Sequence, residues 1–284
     1  MSGAPQDIQV IPAGTVTIHT LPTSNPAGTT DTVAFPFQGV TGGVPLAITA
    51  LSSGSITNPT ALITRPSSAV TSAVTATSAN PCVFTWTGNP LVNGQSVILG
   101  GTAVPTGFTA GFPYFVVVSS GNTFQLSATF GGPAVGSSST GTAVTATLVY
   151  VPGNLIASSA TAPAVSSFPL LTSAAIIPRI RVLTNATSGW NNAGLSINIW
   201  SAPPSYIGGD GVPYAASGAA NWLANFQVFL TQFGDGASGG GGITFANEVT
   251  LKISGTFVFV DIQALSQQTP IVSQTFTIIP ELLN

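Results

Sequence analysis

The sequence predicts an all-β protein, and three features of its composition and pattern carry that prediction. Hydrophobic residues make up 44% of the 284 residues, which is enough to build a core. Thr, Val, Ile and Phe dominate the apolar runs, and these residues favour strands. Gly (32) and Pro (22) are spread along the chain, whereas Lys, Glu and Arg, which stabilise surface helices, are almost absent. We therefore expect antiparallel sheets joined by turns.

The chain divides into four regions by pattern. Residues 1–80 are predicted to form an extended N-terminal arm followed by short strands. Residues 81–150 are predicted to be a small antiparallel β domain, and residues 151–175 a linker or strap whose Pro, Ser and Thr content discourages regular structure. Residues 176–284 are predicted to form a C-terminal β-sandwich that is jelly-roll-like, since six or more strands with turn signals fit that architecture.

Strands in the N-terminal region are predicted from alternation and turn signals. Residues 14–20 alternate with a period of two and include His19. Residues 60–64 form a further short apolar run between turn residues.

The clearest pattern lies in residues 81–150. Turn pairs such as Asn93-Gly94 and Gly121-Asn122 separate the apolar runs, because Gly and Asn tolerate a positive φ angle. The strands predicted here span residues 83–87, 96–99, 114–119, 123–128 and 143–150.

The last region holds six predicted strands and two long loops. Residues 219–225 are predicted to form either a helical turn or the start of a strand, and the loops cover residues 201–218 and 234–242. The strands span residues 180–183, 195–200, 226–230, 248–253, 257–264 and 274–279.

Charge is the unusual feature of the composition. Only 4% of residues are charged, against about 25% in a typical globular protein. Between Pro66 and Pro178 there is no charged residue and no histidine. A surface without charge repulsion suits permanent packing against other subunits. Biased codon composition of the source genome is the alternative explanation.

The charge balance also excludes some partners. The net charge is −3, and the four cations are too few and too scattered to neutralise a track of phosphates, so we expect no nucleic-acid binding. We expect no membrane span, because apolar runs are broken by proline, serine and threonine, and no secretory signal. Cys82 is the only cysteine, so no intrachain disulfide can form.

Few residues are candidates for chemistry. His19 is the only histidine and has no acid or cysteine close in sequence, so a structural or exposed role is expected. Asp210 and Asp235 each precede a glycine and are predicted to be turn residues, with a shared calcium site as the alternative. Asp261 and Glu248 flank Lys252, which favours partial charge pairing over the paired carboxylates of a glycosidase. We therefore expect no enzyme activity and no cofactor or metal.

Four residues are candidate interface residues. Arg179 and Arg181 lie two apart, so they share one face of a strand, where they contact an acidic neighbour or are solvated. Tyr206 and Tyr214 lie in the loop over residues 201–218, where aromatic rings stack on a sugar or anchor a protein neighbour.

Several short segments in residues 81–150 form a distinctive set of motifs. Residues 84–87 read FTWT, residues 104–111 VPTGFTAG, residues 114–117 YFVV and residues 122–127 NTFQLS. Together they resemble a small β module that recurs in tail, fibre and other virion proteins of tailed bacteriophages. Asn89-Pro90 departs from that pattern, in which His-Gly is common.

A second, looser resemblance covers the C-terminal region. Residues 177–182 (IPRIRV), 195–200 (LSINIW), 257–264 and 280–284 (PELLN) are similar to a family of phage structural proteins often encoded near the major capsid protein. The resemblance implies a head-decoration (cement) protein on the capsid exterior. Its expected partners are the major capsid protein and copies of itself, as a homotrimer at threefold positions. A tail, neck or fibre protein is the alternative, and a carbohydrate-binding module is a further one.

Overall fold

The fold is built from strands throughout the part of the chain that can be described. The computed structural model describes residues 56–57, 59–170, 174–186, 190, 192–232, 240–252 and 257–283. These residues belong to one compact unit that spans residues 55–284. Apart from a single 3-10 turn at Ala219–Asn221, the regular elements within these ranges are strands. The predicted all-β fold is therefore confirmed.

The strands are numbered along the chain. They are β1 (Ile56–Thr57), β2 (Ala61–Thr64), β3 (Thr71–Ala73), β4 (Thr75–Ala76), β5 (Phe84–Thr85), β6 (Ser96–Gly100), β7 (Pro113–Ser120), β8 (Thr123–Ser127), β9 (Thr145–Val149), β10 (Leu155–Ile156), β11 (Ser166–Pro169), β12 (Ala174–Thr184), β13 (Gly194–Trp200), β14 (Ser205–Tyr206), β15 (Ala216–Ser217), β16 (Trp222–Phe229), β17 (Thr231–Gln232), β18 (Gly240–Lys252), β19 (Phe257–Ala264) and β20 (Thr275–Leu283). The predicted arm and the strand over residues 14–20, with His19, lie outside the described residues.

The small β domain is a sheet whose two edges meet. Its strand order is β3-β9-β6-β7-β8-β5-β4, and all neighbours are antiparallel. The edge strands β3 and β4 are separated only by the buried Val74, so one segment of chain closes the sheet into a small barrel. Phe84, Trp86 and Phe124 fill its interior. All five strands predicted in this region occur, and β3 and β4 extend the barrel to residues before the predicted boundary at 81.

The C-terminal region is a sandwich of two antiparallel sheets. One sheet has the order β1-β20-β12-β18-β17, with β2 also paired to β20. The other has the order β10-β19-β13-β16, with β11 also paired to β19. Apart from β17 and β18, neighbouring strands are not consecutive in sequence, as in Greek-key sandwiches.

Alternate side chains of the two sheets form one shared core. Buried residues of β12 and β20 pack with those of β13, β16 and β19, because successive residues of a strand point to opposite faces. In β12 the register shifts between Ile177 and Arg179. Pro178 lies at this irregularity, which fits a residue that has no backbone N–H for a regular ladder.

The predicted linker over residues 151–175 contains two short strands instead of being wholly irregular. Strand β10 and strand β11 both pair with β19. Phe168 is fully buried in the sandwich core. The local composition discourages strands, but β19 presents a free row of backbone groups, and pairing with it overrides the local preference.

A buried ion pair lies where the barrel meets the sandwich. Arg65 follows β2, and its Nε lies 2.8 Å from Asp210 Oδ2. The two side chains are 1% and 0% exposed. Tyr150, which follows β9 and packs in the sandwich core, donates its hydroxyl to Asp210 Oδ1 at 2.7 Å. Gln95, from the barrel, donates Nε2 to the backbone oxygen of Asp210 at 2.7 Å. Asp210 therefore ties the loop over residues 201–218 to both parts of the molecule.

Glycine on either side makes this placement of Asp210 feasible. A Cβ atom on Gly209 would lie 2.3 Å from the backbone of Ala160, so no larger residue fits. Gly211 has a φ angle of +76°, which other residues adopt only with strain. The Gly-Asp-Gly sequence is thus a turn, as predicted, but the carboxylate of Asp210 points into the protein.

Breaking the buried pair should destabilise the fold strongly. Asp210→Ala leaves the Arg65 charge buried without a counter-charge, and we expect the free energy of unfolding to fall by about 3–5 kcal/mol. Urea denaturation followed by tryptophan fluorescence measures the change. The matched control is Glu281→Ala, which breaks a partly exposed ion pair with Arg179 and should cost less than about 1 kcal/mol. Equal losses in the two variants would contradict the role assigned to Asp210.

Candidate functional site

A cluster of polar and aromatic side chains covers the outer face of the sheet that contains β13 and β19. In β13, Leu195, Ile197 and Ile199 point into the sandwich core. Ser196, Asn198 and Trp200 alternate with them and therefore point to the other face. Asn198 lies directly opposite Asp261 of the neighbouring strand β19. We call the side chains hydrogen-bonded around this carboxylate, Asn198, Trp200, Tyr206, Tyr214 and Asp261, the Asp261 cluster.

The Asp261 carboxylate accepts four hydrogen bonds from neutral donors. Its Oδ1 accepts one from Asn198 Nδ2 at 2.7 Å. Its Oδ2 accepts from Trp200 Nε1 at 2.8 Å, Tyr214 Oη at 2.9 Å and Tyr206 Oη at 3.1 Å. Asp261 is only 2% exposed. A carboxylate has about four acceptor sites, so this one is fully satisfied without a cation.

The pKa values of the cluster follow from burial. Burial raises the pKa of Asp261, and the hydrogen bonds from Asn198, Tyr214, Tyr206 and Trp200 oppose that rise. Burial, and then repulsion from the Asp261 carboxylate, raises the pKa of Tyr206 and of Tyr214 well above the value of a free tyrosine. Both phenols therefore stay protonated, and so remain donors, over the physiological pH range.

The cluster extends through Asn198 to the edge strand β16. Because the Nδ2 of Asn198 donates a hydrogen bond to Asp261, the Oδ1 of Asn198 faces β16. That oxygen accepts hydrogen bonds from Trp222 Nε1 at 3.3 Å and from Asn225 Nδ2 at 2.9 Å. Trp222 is 49% exposed, and Asn225 is also exposed. The buried carboxylate therefore orients Trp222 and Asn225 on the surface indirectly, through Asn198.

The predicted interface residues do not form one site. Tyr206 and Tyr214 lie in the Asp261 cluster, where their hydroxyls are bound internally and their rings are partly buried, 6.2 Å apart. Arg179 and Arg181 lie on β12, in the other sheet. Arg179 forms an ion pair with Glu281, whereas Arg181 is exposed.

The acidic residues are placed differently from the sequence prediction. Asp261 contacts neutral donors, while Glu248 and Lys252 belong to β18 in the opposite sheet. Asp210 binds Arg65, Tyr150 and the backbone N–H of Ala157. Asp235, its proposed calcium partner, lies outside the described residues. Among the described residues, no group of three or more His, Cys, Asp and Glu side chains could hold a metal ion.

The sequence analysis did not identify Asn198, Trp200, Trp222 or Asp261 as parts of one cluster. A signal was present, since LSINIW and VFVDIQA both place polar residues at alternate positions within an apolar strand. Such a pattern predicts that the second face of the sheet is polar or covered. It cannot tell which two strands are neighbours. With four neutral donors around it, the carboxylate is suited to holding side chains in place.

Comparison with protein-family models, with curated proteins and with solved structures finds no match for this chain. Within the described ranges, none of the helical segments is long and apolar enough to cross a membrane.

Removing the central carboxylate should disorder the cluster. Asp261→Ala leaves four donors without their acceptor, and we expect the free energy of unfolding to fall by about 2–4 kcal/mol. Urea denaturation measures this loss, and near-ultraviolet circular dichroism reports the aromatic rings. Gln227→Ala, an exposed change on β16 of the same sheet, is the control and should stay within about 0.5 kcal/mol of the parent. An Asp261→Ala variant as stable as this control would refute the anchoring role.

The tyrosines offer a test by pH. Burial raises the pKa of Tyr150, Tyr206 and Tyr214, so the folded protein keeps these three phenols protonated where an unfolded chain ionises, near pH 10. The unfolded state loses protons first, so stability should decline as the pH rises above about 10. Absorbance at 295 nm should show that at least three of the four tyrosines ionise only when the protein unfolds. Ionisation of all four before loss of the circular dichroism signal would contradict the structure.

Proposed function

We propose that this chain is a structural component of a bacteriophage particle, most directly a capsid decoration protein on the outside of the head. Its partners in this proposal are the major capsid protein and further copies of the same chain, with a homotrimer as the self-associated form. The proposal rests on subunit contact and includes no catalysis. A tail, neck or fibre location is the alternative position in the particle.

The observation that carries the proposal is how the structure uses its few charges. Arg65 and Asp210 are buried against each other, and Asp261 is buried among neutral donors. Arg179 and Glu281 are paired at the surface. Much of the described surface is therefore neutral, and such a surface lacks the repulsion that keeps monomers apart.

Exposed apolar side chains give further support. Ile207 is 88% exposed directly after β14, and Phe229 is 61% exposed on β16. In the barrel, Phe130 is 56% exposed. Aromatic residues are enriched in protein–protein interfaces, so side chains such as Phe229 and Phe130 would supply contact area in an assembly. The resemblance of the barrel segments to a module of phage virion proteins indicates which assembly those neighbours belong to.

If the protein binds phage heads through a neutral surface, its affinity should depend only weakly on salt concentration. Purified protein should bind assembled phage heads that lack it and should not bind dispersed capsid subunits. Because few charges are available, we expect the affinity to change by less than about threefold between about 0.05 and 0.5 M NaCl. Co-sedimentation with the heads measures both properties. Equal binding to heads and to dispersed subunits would contradict the decoration role.

Electron cryo-microscopy of the particle separates the two locations. Density for the barrel and sandwich on the shell supports decoration. Density at the tail or neck, with none on the shell, replaces decoration by the alternative. Absence from the particle would overturn both.

A further inference from the structure

The outer face of the β10-β19-β13-β16 sheet carries side chains in ordered rows across the strands. Register places Phe259 opposite Trp200, and Trp200 opposite Trp222, which makes an aromatic row. The next outward positions form polar rows. These are Asp261, Asn198 and Asn225 in one row and Gln263, Ser196 and Gln227 in the other.

The most accessible part of these rows lies on β16, whereas Phe259 and Gln263 of β19 are partly exposed. Trp222 is 49% exposed, and Asn225 and Gln227 are exposed beside it. Asn198 and Ser196 lie beside them on the neighbouring strand β13 and are each 6% exposed. Tyr214 lies on the other side of Asn198, with its hydroxyl 3.5 Å from Asn198 Nδ2. Aromatic rings therefore flank the amide of Asn198 on two sides.

The exposed groups are held in fixed orientations by the buried ones. Asp261 fixes the amide of Asn198, and Asn198 Oδ1 then fixes Trp222 through its Nε1. The Nδ2 of Asn225 is bound to Asn198 and Ser196, which leaves its carbonyl oxygen for another partner. Burying such a polar network is unfavourable compared with an apolar face unless every member is satisfied. This network holds the segment over residues 201–218 and also leaves the Trp222 ring and the Asn225 amide oriented at the surface.

We propose that this face, formed by Trp222, Asn225 and Gln227 with Tyr214 at its border, binds a neutral oligosaccharide. A pyranose ring presents an apolar C–H surface that stacks on an aromatic ring, and its hydroxyls both donate and accept hydrogen bonds. Amide side chains match those hydroxyls because each carries donors and an acceptor. The only charge in the cluster, Asp261, is buried and saturated, so nothing here favours an acidic glycan. This binding function is independent of the structural role proposed above.

A second copy of the chain is the competing occupant of this edge. Strand addition needs a regular row of free backbone groups. The pairing of β13 with β16 shifts register between Ile199 and Trp200, opposite Ala224 and Trp222, so the ladder is irregular at the exposed tryptophan. Bulges of this kind protect an edge against strand addition. The geometry thus favours a ligand that contacts side chains over one that extends the sheet.

The experiment uses the full chain and two exposed substitutions. An array of neutral and acidic glycans identifies binders, and isothermal titration with neutral hexasaccharides of glucose, galactose, mannose and N-acetylglucosamine gives the affinities. We expect at least one neutral sugar to bind. Trp222→Ala should weaken that binding about tenfold or more, and Asn225→Ala about threefold or more. Phe112→Ala, a 46%-exposed aromatic of the barrel, is the matched control and should leave the affinity unchanged.

Each other result overturns the proposal. Binding of no neutral glycan, preference for acidic glycans, or unchanged affinity in Trp222→Ala and Asn225→Ala would do so. If Trp222→Ala instead alters the oligomeric state in analytical ultracentrifugation without any change in glycan affinity, the edge is a contact between subunits. None of these results bears on head binding, which the co-sedimentation experiment tests separately.

Discussion

Two buried carboxylates hold the segment over residues 201–218 against the rest of the molecule. Asp210 lies within the segment. Its carboxylate binds Arg65 and Tyr150 in the sandwich, and its backbone oxygen accepts a hydrogen bond from Gln95 of the barrel. Asp261 lies under the segment and binds the hydroxyls of Tyr206 and Tyr214. A buried carboxylate is tolerated only when its acceptor sites are filled, so each of the two dictates where its donors must lie. The position of this long segment, in which β14 and β15 are only two residues each, follows from this requirement.

Burial of charged side chains also reduces the charge of the surface. The chain has very few charged residues, and the interior takes up Arg65, Asp210 and Asp261. The described surface has few charged groups, and it exposes rings such as Trp222 and Phe229. A neutral surface of this kind interacts at short range, through contact area and matched hydrogen bonds. Both the proposed assembly role and the proposed sugar-binding face depend on that type of contact.

The two parts of the molecule make different use of β-structure. The barrel removes its own edges by joining β3 and β4 through Val74, which leaves its core sealed by one continuous sheet. Among the described strands, β16 forms an edge of the sandwich, and its register is irregular beside Trp222. A closed barrel is suited to be a rigid support, whereas the open edge of the sandwich is where a ligand or neighbour can reach the sheet.

Much of the local structure was predictable from the sequence. Alternation of apolar residues and the placement of Gly and Asn identified the barrel strands, and the prediction for residues 257–264 coincides with β19. These signals are local, since strand period and turn chemistry depend on residues close together in the chain. The prediction was less complete where pairing overrides composition, as for β10 and β11 in the expected linker.

What the sequence by itself determined about this protein is its all-β class, most strand positions, the turn at Asp210 and the scarcity of charge. Only the tertiary structure decided which groups the two carboxylates meet. Arg65 is 145 residues from Asp210, and Asn198 is 63 residues from Asp261. Such contacts depend on strand order and register. Sequences with the same alternation of apolar and polar residues can pair their strands in different orders and registers. The buried ion pair and the Asp261 cluster exist because folding brought those particular strands together.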